Sequence, residues 1–117
     1  MSISAGDTAT VSVTAHSSTS GAATIKNLSN GQLQQVELSS DYALCRQNAE
    51  WIVENPADQY GDLLPFANFG RVTFYDATAS GRGAYSPHGA NIAIIQQDDD
   101  TLTSVSTDGS SVTITYV

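Results

Sequence analysis

Positive charge is scarce in this sequence: four lysines and arginines stand against twelve aspartates and glutamates in 117 residues, a formal charge of −8. A surface so short of cations cannot neutralise a phosphate backbone, so nucleic acid is not an expected partner. No run of ~20 apolar residues is present to span a bilayer, and no membrane partner is expected either. Met1-Ser2-Ile3-Ser4-Ala5-Gly6-Asp7 lacks both the basic start and the apolar stretch of a signal peptide. With one cysteine and two scattered histidines there is no clustered ligand set for zinc, and no metal or cofactor is expected. No segment has the 3.6-residue apolar period of a helix, and no linker or internal repeat divides the chain.

What is present suits an exterior setting. A protein with many carboxyls and few bases sheds most of its charge at acid pH and escapes the self-repulsion that unfolds proteins there. Serine and threonine are abundant and lysine is rare, an extracellular style of surface, so a secreted location is expected with any signal peptide outside this chain. The length gives one domain, residues 1–117, with a modest core. Cys45, the lone cysteine, reads either as a buried thiol or as half of a disulfide whose partner is elsewhere.

Period-two alternation, β-branched residues and turn residues recur throughout. Strands are expected over residues 9–15, over 23–28 and 33–38 around the turn dipeptide Asn30-Gly31, and over 49–54, stopped by Asn55-Pro56. Further strands are expected over 66–75, over 92–97 and 102–107 about Asp98-Asp99-Asp100, and over 111–117, with residues 79–89 a loop. The expected fold is all-β, an antiparallel β-sandwich of the jelly-roll or concanavalin-like kind with about seven strands.

Few residues carry chemistry. His16 and His88 lie in small polar contexts with no nucleophile signature nearby, and both read as surface histidines. Asp98-Asp99-Asp100 reads as a solvated turn rather than a calcium loop. Asn27-Leu28-Ser29 is a formal N-glycosylation acceptor. On the strand 49–54, alternation places Glu50, Ile52 and Glu54 on one face and Trp51 and Val53 on the other. Two glutamates on one strand face are candidates for acid–base work, and geometry alone does not choose between them.

Three blocks of sequence resolve this further. They are Cys45-Arg46-Gln47-Asn48-Ala49-Glu50-Trp51-Ile52-Val53-Glu54, then Leu64-Pro65-Phe66-Ala67-Asn68-Phe69-Gly70-Arg71-Val72-Thr73-Phe74, and the closing Ser111-Val112-Thr113-Ile114-Thr115-Tyr116-Val117. Together with Leu102 to Ser106 and the opening residues, they resemble the glutamic peptidases called eqolisins. The resemblance covers nearly the whole chain and corresponds to the C-terminal half of such an enzyme.

The resemblance implies an acid endopeptidase acting on protein or peptide substrates, built as half of a larger two-sheet sandwich. Its catalytic pair is a glutamate, acting as general base and then as proton donor, and a glutamine that holds the water and stabilises the oxyanion. Nine residues after Cys45, Glu54 falls at the position of the catalytic glutamate, with Glu50 the reserve candidate. Asn55 departs from the motif, which has an aspartate there. The catalytic glutamine belongs to the upstream half; Gln32, Gln34, Gln35, Gln47, Gln96 and Gln97 do not occupy its context. The family counterpart of Cys45 is disulfide-bonded to that same half. The isolated chain is therefore expected to be inactive, and to seek a complementary N-terminal chain or to self-associate. The alternative is a non-catalytic β-sandwich that binds peptide or carbohydrate.

Overall fold

The computed structural model describes residues 1–117, and the chain is all-β: every regular element is an antiparallel strand and no helix forms. The ten strands are β1 (Ala9–Ala15), β2 (Ser20–Asn27), β3 (Leu33–Ser39), β4 (Arg71–Phe74), β5 (Ala79–Ser80), β6 (Ala84–Tyr85), β7 (Gln96–Gln97), β8 (Asp100–Thr101), β9 (Thr103–Asp108) and β10 (Ser111–Tyr116). They belong to two compact units, Met1–Asn48 and Ala49–Val117.

The first unit is a meander in the order β1-β2-β3. Its register aligns Val11 with Ile25 and Val13 with Ala23 and Val36, so one face of the sheet is apolar. Val11 and Val13 nevertheless remain 65% and 77% exposed. The β2–β3 hairpin forms around Asn30-Gly31 as expected. It is a longer loop than a two-residue turn, closed by the Asn27 N–H donating to the Gln32 carbonyl at 2.8 Å. Gly31 takes φ 76°, the left-handed conformation that glycine adopts without a steric penalty.

Asn27 is the hub of this loop and is fully buried. Its Nδ2 donates to Asp7 Oδ2 at 2.7 Å and to the Ser2 carbonyl at 3.2 Å, and its Oδ1 accepts the Ser29 N–H at 2.8 Å. Both amide protons are engaged inside the fold, which rules out Asn27 as a glycan acceptor. Asp7 is held below the ordinary carboxylate range, first by the Ser4 N–H and then by the Asn27 amide, with Ser29 adding to the effect.

In the second unit the order is β4-β10-β9. The central β10 pairs Ile114 with Val72 and Val105, and Val112 with Phe74 and Thr107. Val112 and Ile114 are buried, as are Ala77 and Thr103. Gln97 pairs with Asp100 across a turn in which Asp98 and Asp99 have φ 52° and 69°. That is the mirror-image hairpin turn, with two aspartates in conformations that short polar side chains tolerate.

Three expected strands are shorter or absent. The run 66–75 is a strand only over β4: Gly70 turns left-handed at φ 70°, and outside the ladder Phe66 stacks on Tyr116 while Phe69 meets both rings edge-on. Of 92–97 only Gln96 and Gln97 pair. Residues 49–54 form no strand at all. A strand is defined by its ladder, and no chain segment pairs with this one. The expected loop 79–89 does hold the short β5–β6 hairpin.

Candidate active site

Residues 49–55 keep an extended alternation without a ladder. Glu50, Ile52 and Glu54 are exposed, whereas Trp51, Val53 and Asn55 are half-buried. The two-residue period of side-chain direction survives because it belongs to the extended backbone, not to pairing. Glu50 and Glu54 thus share one outward face, as the sequence predicts.

The segment is fixed at its end by the loop that follows. The Asn55 Nδ2 donates to the Leu64 carbonyl at 3.1 Å, and the Leu64 N–H donates to the Pro56 carbonyl at 3.2 Å. Asp58 Oδ1 accepts the N–H groups of Tyr60 and Asp62 at 2.8 and 3.0 Å, and Ala57 bridges Leu63. An ionised aspartate at position 55 could not make the first of these bonds, since a carboxylate has no proton to give. Asn55 therefore suits this loop closure. Its Oδ1, however, is buried and receives no donor.

Two concavities meet at Val53, Glu54 and Asn55. The larger, about 520 Å³, is lined by residues 49–55, by Pro87 and residues 90–95, and by one face of the β9–β10 pair carrying Thr103, Val105, Thr107, Val112 and Ile114. The smaller, about 290 Å³, is apolar apart from Glu54 and Asn55 and includes Phe66, Phe69 and Val72. Glu50 and Glu54 are the only charged side chains on either lining. With no cation opposite, the site disfavours acidic ligands.

The other candidates lie apart from this cleft. Gln96 and Gln97, the glutamines of the second unit, line neither concavity, and Gln96 Nε2 donates to Thr101 Oγ1 at 3.3 Å. His88 is exposed, and His16 faces Glu37 at 3.6 Å in the first unit. Cys45 is free and exposed, which removes the buried-thiol explanation. Sequence reasoning missed the cleft contribution of residues 90–95. Their apolar pattern signalled a strand, but nothing in it signalled which surface they would face.

Comparison with known proteins places this geometry. A sequence profile described as the Peptidase A4 family matches residues 1–116. Aspergillopepsin-2 of Aspergillus niger is 46% identical over 121 residues, covering 100% of this chain and 42% of that protein. Scytalidopepsin B of Scytalidium lignicola is 36% identical over 126 residues, covering 100% and 48%. The chain thus spans about half the length of the curated relatives it matches.

The crystal structure of aspergilloglutamic peptidase from Aspergillus niger superposes with a TM-score of 0.92 at 44% identity, over 100% of this chain and 70% of that one. Scytalido-glutamic peptidase bound to a peptide-based transition-state analogue gives 0.89 at 36%, over 100% and 62%. The antiparallel all-β architecture matches these β-sandwich structures. From Met1 to Tyr116, in sequence and in backbone, the chain belongs to the Peptidase A4 family, the eqolisins.

Proposed function

We propose that this chain is the C-terminal, glutamate-bearing part of an acid endopeptidase, completed by an N-terminal segment that supplies the glutamine. The observation that carries the reading is the position of Glu54. In a chain of a peptidase family, it is exposed at the point where two concavities meet, open to both water and a peptide.

Glu54 takes a proton from water, and the water oxygen attacks the peptide carbonyl. The incoming glutamine amide donates to the oxyanion of the tetrahedral intermediate. The protonated Glu54 then gives its proton to the departing amine as the carbon–nitrogen bond breaks. Residues 1–117 contribute to one peptidase domain, and the protein acts outside the cell. Cys45, exposed and free, forms a disulfide with the completing segment.

Two features support an incomplete chain. Large apolar side chains stay in water in each unit, Val13 at 77% and Ile92 at 55% exposed among them, where a finished core would cover them. The glutamines of the second unit are absent from the cleft that Glu54 borders. The test is to mix the chain with an N-terminal eqolisin segment at acid pH and assay protein cleavage. Cleavage that Glu54→Gln abolishes supports the proposal; an inactive mixture, or activity indifferent to that change, refutes it.

A further inference from the structure

Asn30-Gly31 carries a reactivity that its place in the hairpin leaves unused. An asparagine side chain can be attacked by the main-chain nitrogen of the residue after it, and a following glycine has no Cβ to hinder that approach. Both residues are exposed, so water reaches them. In this loop, however, each reacting group is already held. The Gly31 N–H donates to the Asn27 carbonyl at 2.8 Å, and the nitrogen must give up that proton before it can attack. Asn30 Oδ1 accepts the Gln32 N–H at 3.0 Å while its Nδ2 donates to the Ser2 carbonyl at 3.2 Å, so the carboxamide is fixed at both ends. Ser2 is itself tied down, its N–H donating to Gln32 Oε1 at 2.7 Å and its carbonyl also accepting from the buried Asn27. Asp7 completes this strap by accepting from the Ser4 N–H at 2.9 Å and from Asn27 Nδ2.

We propose that Asn30 is a deamidation site, held closed by the strap from Ser2 to Asp7 and by the Asn27 carbonyl, and released when this loop opens locally. In the open loop the Gly31 nitrogen loses its proton to solvent base and bonds to Asn30 Cγ. The Cγ–Nδ2 bond breaks, the amide leaves as ammonia with a proton taken from water, and a five-membered succinimide remains. Water then opens the ring at either carbonyl, giving aspartate or isoaspartate, with no change of oxidation state. Because the nitrogen must be deprotonated, acid slows the reaction and mild alkali speeds it. The product cannot restore the loop. An aspartate at position 30 has no proton to give the Ser2 carbonyl when ionised, and it brings a second negative charge to a hub built on the Asp7 carboxylate. Isoaspartate routes the main chain through the side-chain carbon and adds one backbone atom inside the loop that Asn27 and Gln32 close. A chain that has opened once therefore keeps a looser loop. This loop belongs to the first unit, and its chemistry does not depend on peptidase activity.

Peptide mapping by mass spectrometry tests this on the full chain, with isoaspartate told from aspartate by electron-transfer fragmentation. The chain is kept at mildly alkaline pH, folded or in concentrated guanidinium, and product at Asn30 is followed over days. The rate in the folded chain should be at least about tenfold below that in the unfolded one. Equal rates overturn the closed loop, and an unreactive Asn30 in guanidinium overturns the site itself. Asp7→Ala, which removes the acceptor for the Ser4 and Asn27 donors, should raise the folded rate at least about threefold, and an unchanged rate overturns the strap. Should that variant not fold, the parent in guanidinium below its unfolding transition gives the same reading. Deamidation that quickens before the circular dichroism changes supports local opening, and deamidation that begins only with global unfolding overturns it.

Discussion

The sheet β1-β2-β3 and the segment 49–55 carry the same sequence signal and reach different ends. Both alternate in side-chain direction, and both are free of helical periodicity. In the first unit each strand finds its neighbour across a short turn, so Ala9–Ala15 pairs residue by residue with β2 and β2 with β3. Residues 49–55 have no such neighbour in sequence, and their backbone stays open. Alternation thus specifies an extended backbone, while a ladder needs a second segment at the right distance. In the first unit the turn supplies that segment, whereas nothing adjacent in sequence supplies one to residues 49–55.

The comparison can be sharpened first through activity. In the mixture of this chain with an N-terminal eqolisin segment proposed above, Glu54→Gln should lower kcat by at least the 10²–10⁴-fold typical of losing a general acid–base group, while Glu50→Gln should leave most of it. Steady-state kinetics on both variants decides between two glutamates that share a face. A rank order reversed in favour of Glu50 would move the catalytic role to the reserve position.

Hydrogen exchange on the chain alone should separate the two regions next. Amides of β2, paired on both sides, should exchange at least a hundredfold more slowly than those of residues 49–55. Equal rates would mean that the meander opens as readily as the unpaired segment.

Denaturant unfolding supplies a smaller contrast. Ile114→Ala removes a buried side chain from β10 and should cost about 2–5 kcal/mol. Val13→Ala, at a position 77% exposed, should stay within about 0.5 kcal/mol.

The smallest effect expected is electrostatic. Asp7 has a lowered pKa in the folded state, so the unfolded chain binds that proton more readily. Its contribution to stability is present above the ordinary value of 3.8 and is lost as pH falls through the lowered one. Asp7→Asn should therefore be less stable than the parent at neutral pH, with the difference narrowing in strong acid. A difference independent of pH in thermal melts would assign the loss to geometry alone.

Much of the fold was legible because its signals are local. Asn30-Gly31 announced a hairpin, Asp98 and Asp99 a tight turn, and the alternation over β1, β9 and β10 gave strands close to their observed bounds. Glu50 and Glu54 fell on one face for the same reason, since side-chain direction depends only on the extended backbone. Non-local facts were hidden. The sequence around Asn27 reads as a glycan acceptor, yet the residue is buried by contacts with Ser2 and Asp7, which come from about twenty-five positions upstream or fewer. Cys45 reads as a buried thiol or half of a disulfide, and in the fold it is exposed and free.

The sequence by itself determined the family, the all-β class, the direction of each alternating side chain and the candidate glutamates. Each follows from covalent order and backbone geometry, or from a motif spread along the chain. Tertiary structure decided that residues 49–55 and 91–94 stay unpaired along one cleft, that Phe66 and Phe69 lie outside the ladder against Tyr116, and that Asn55 carries a buried oxygen without a donor. Those outcomes depend on which segments reach one another in space, and hydrogen-bond partners and buried surfaces exist only once they do.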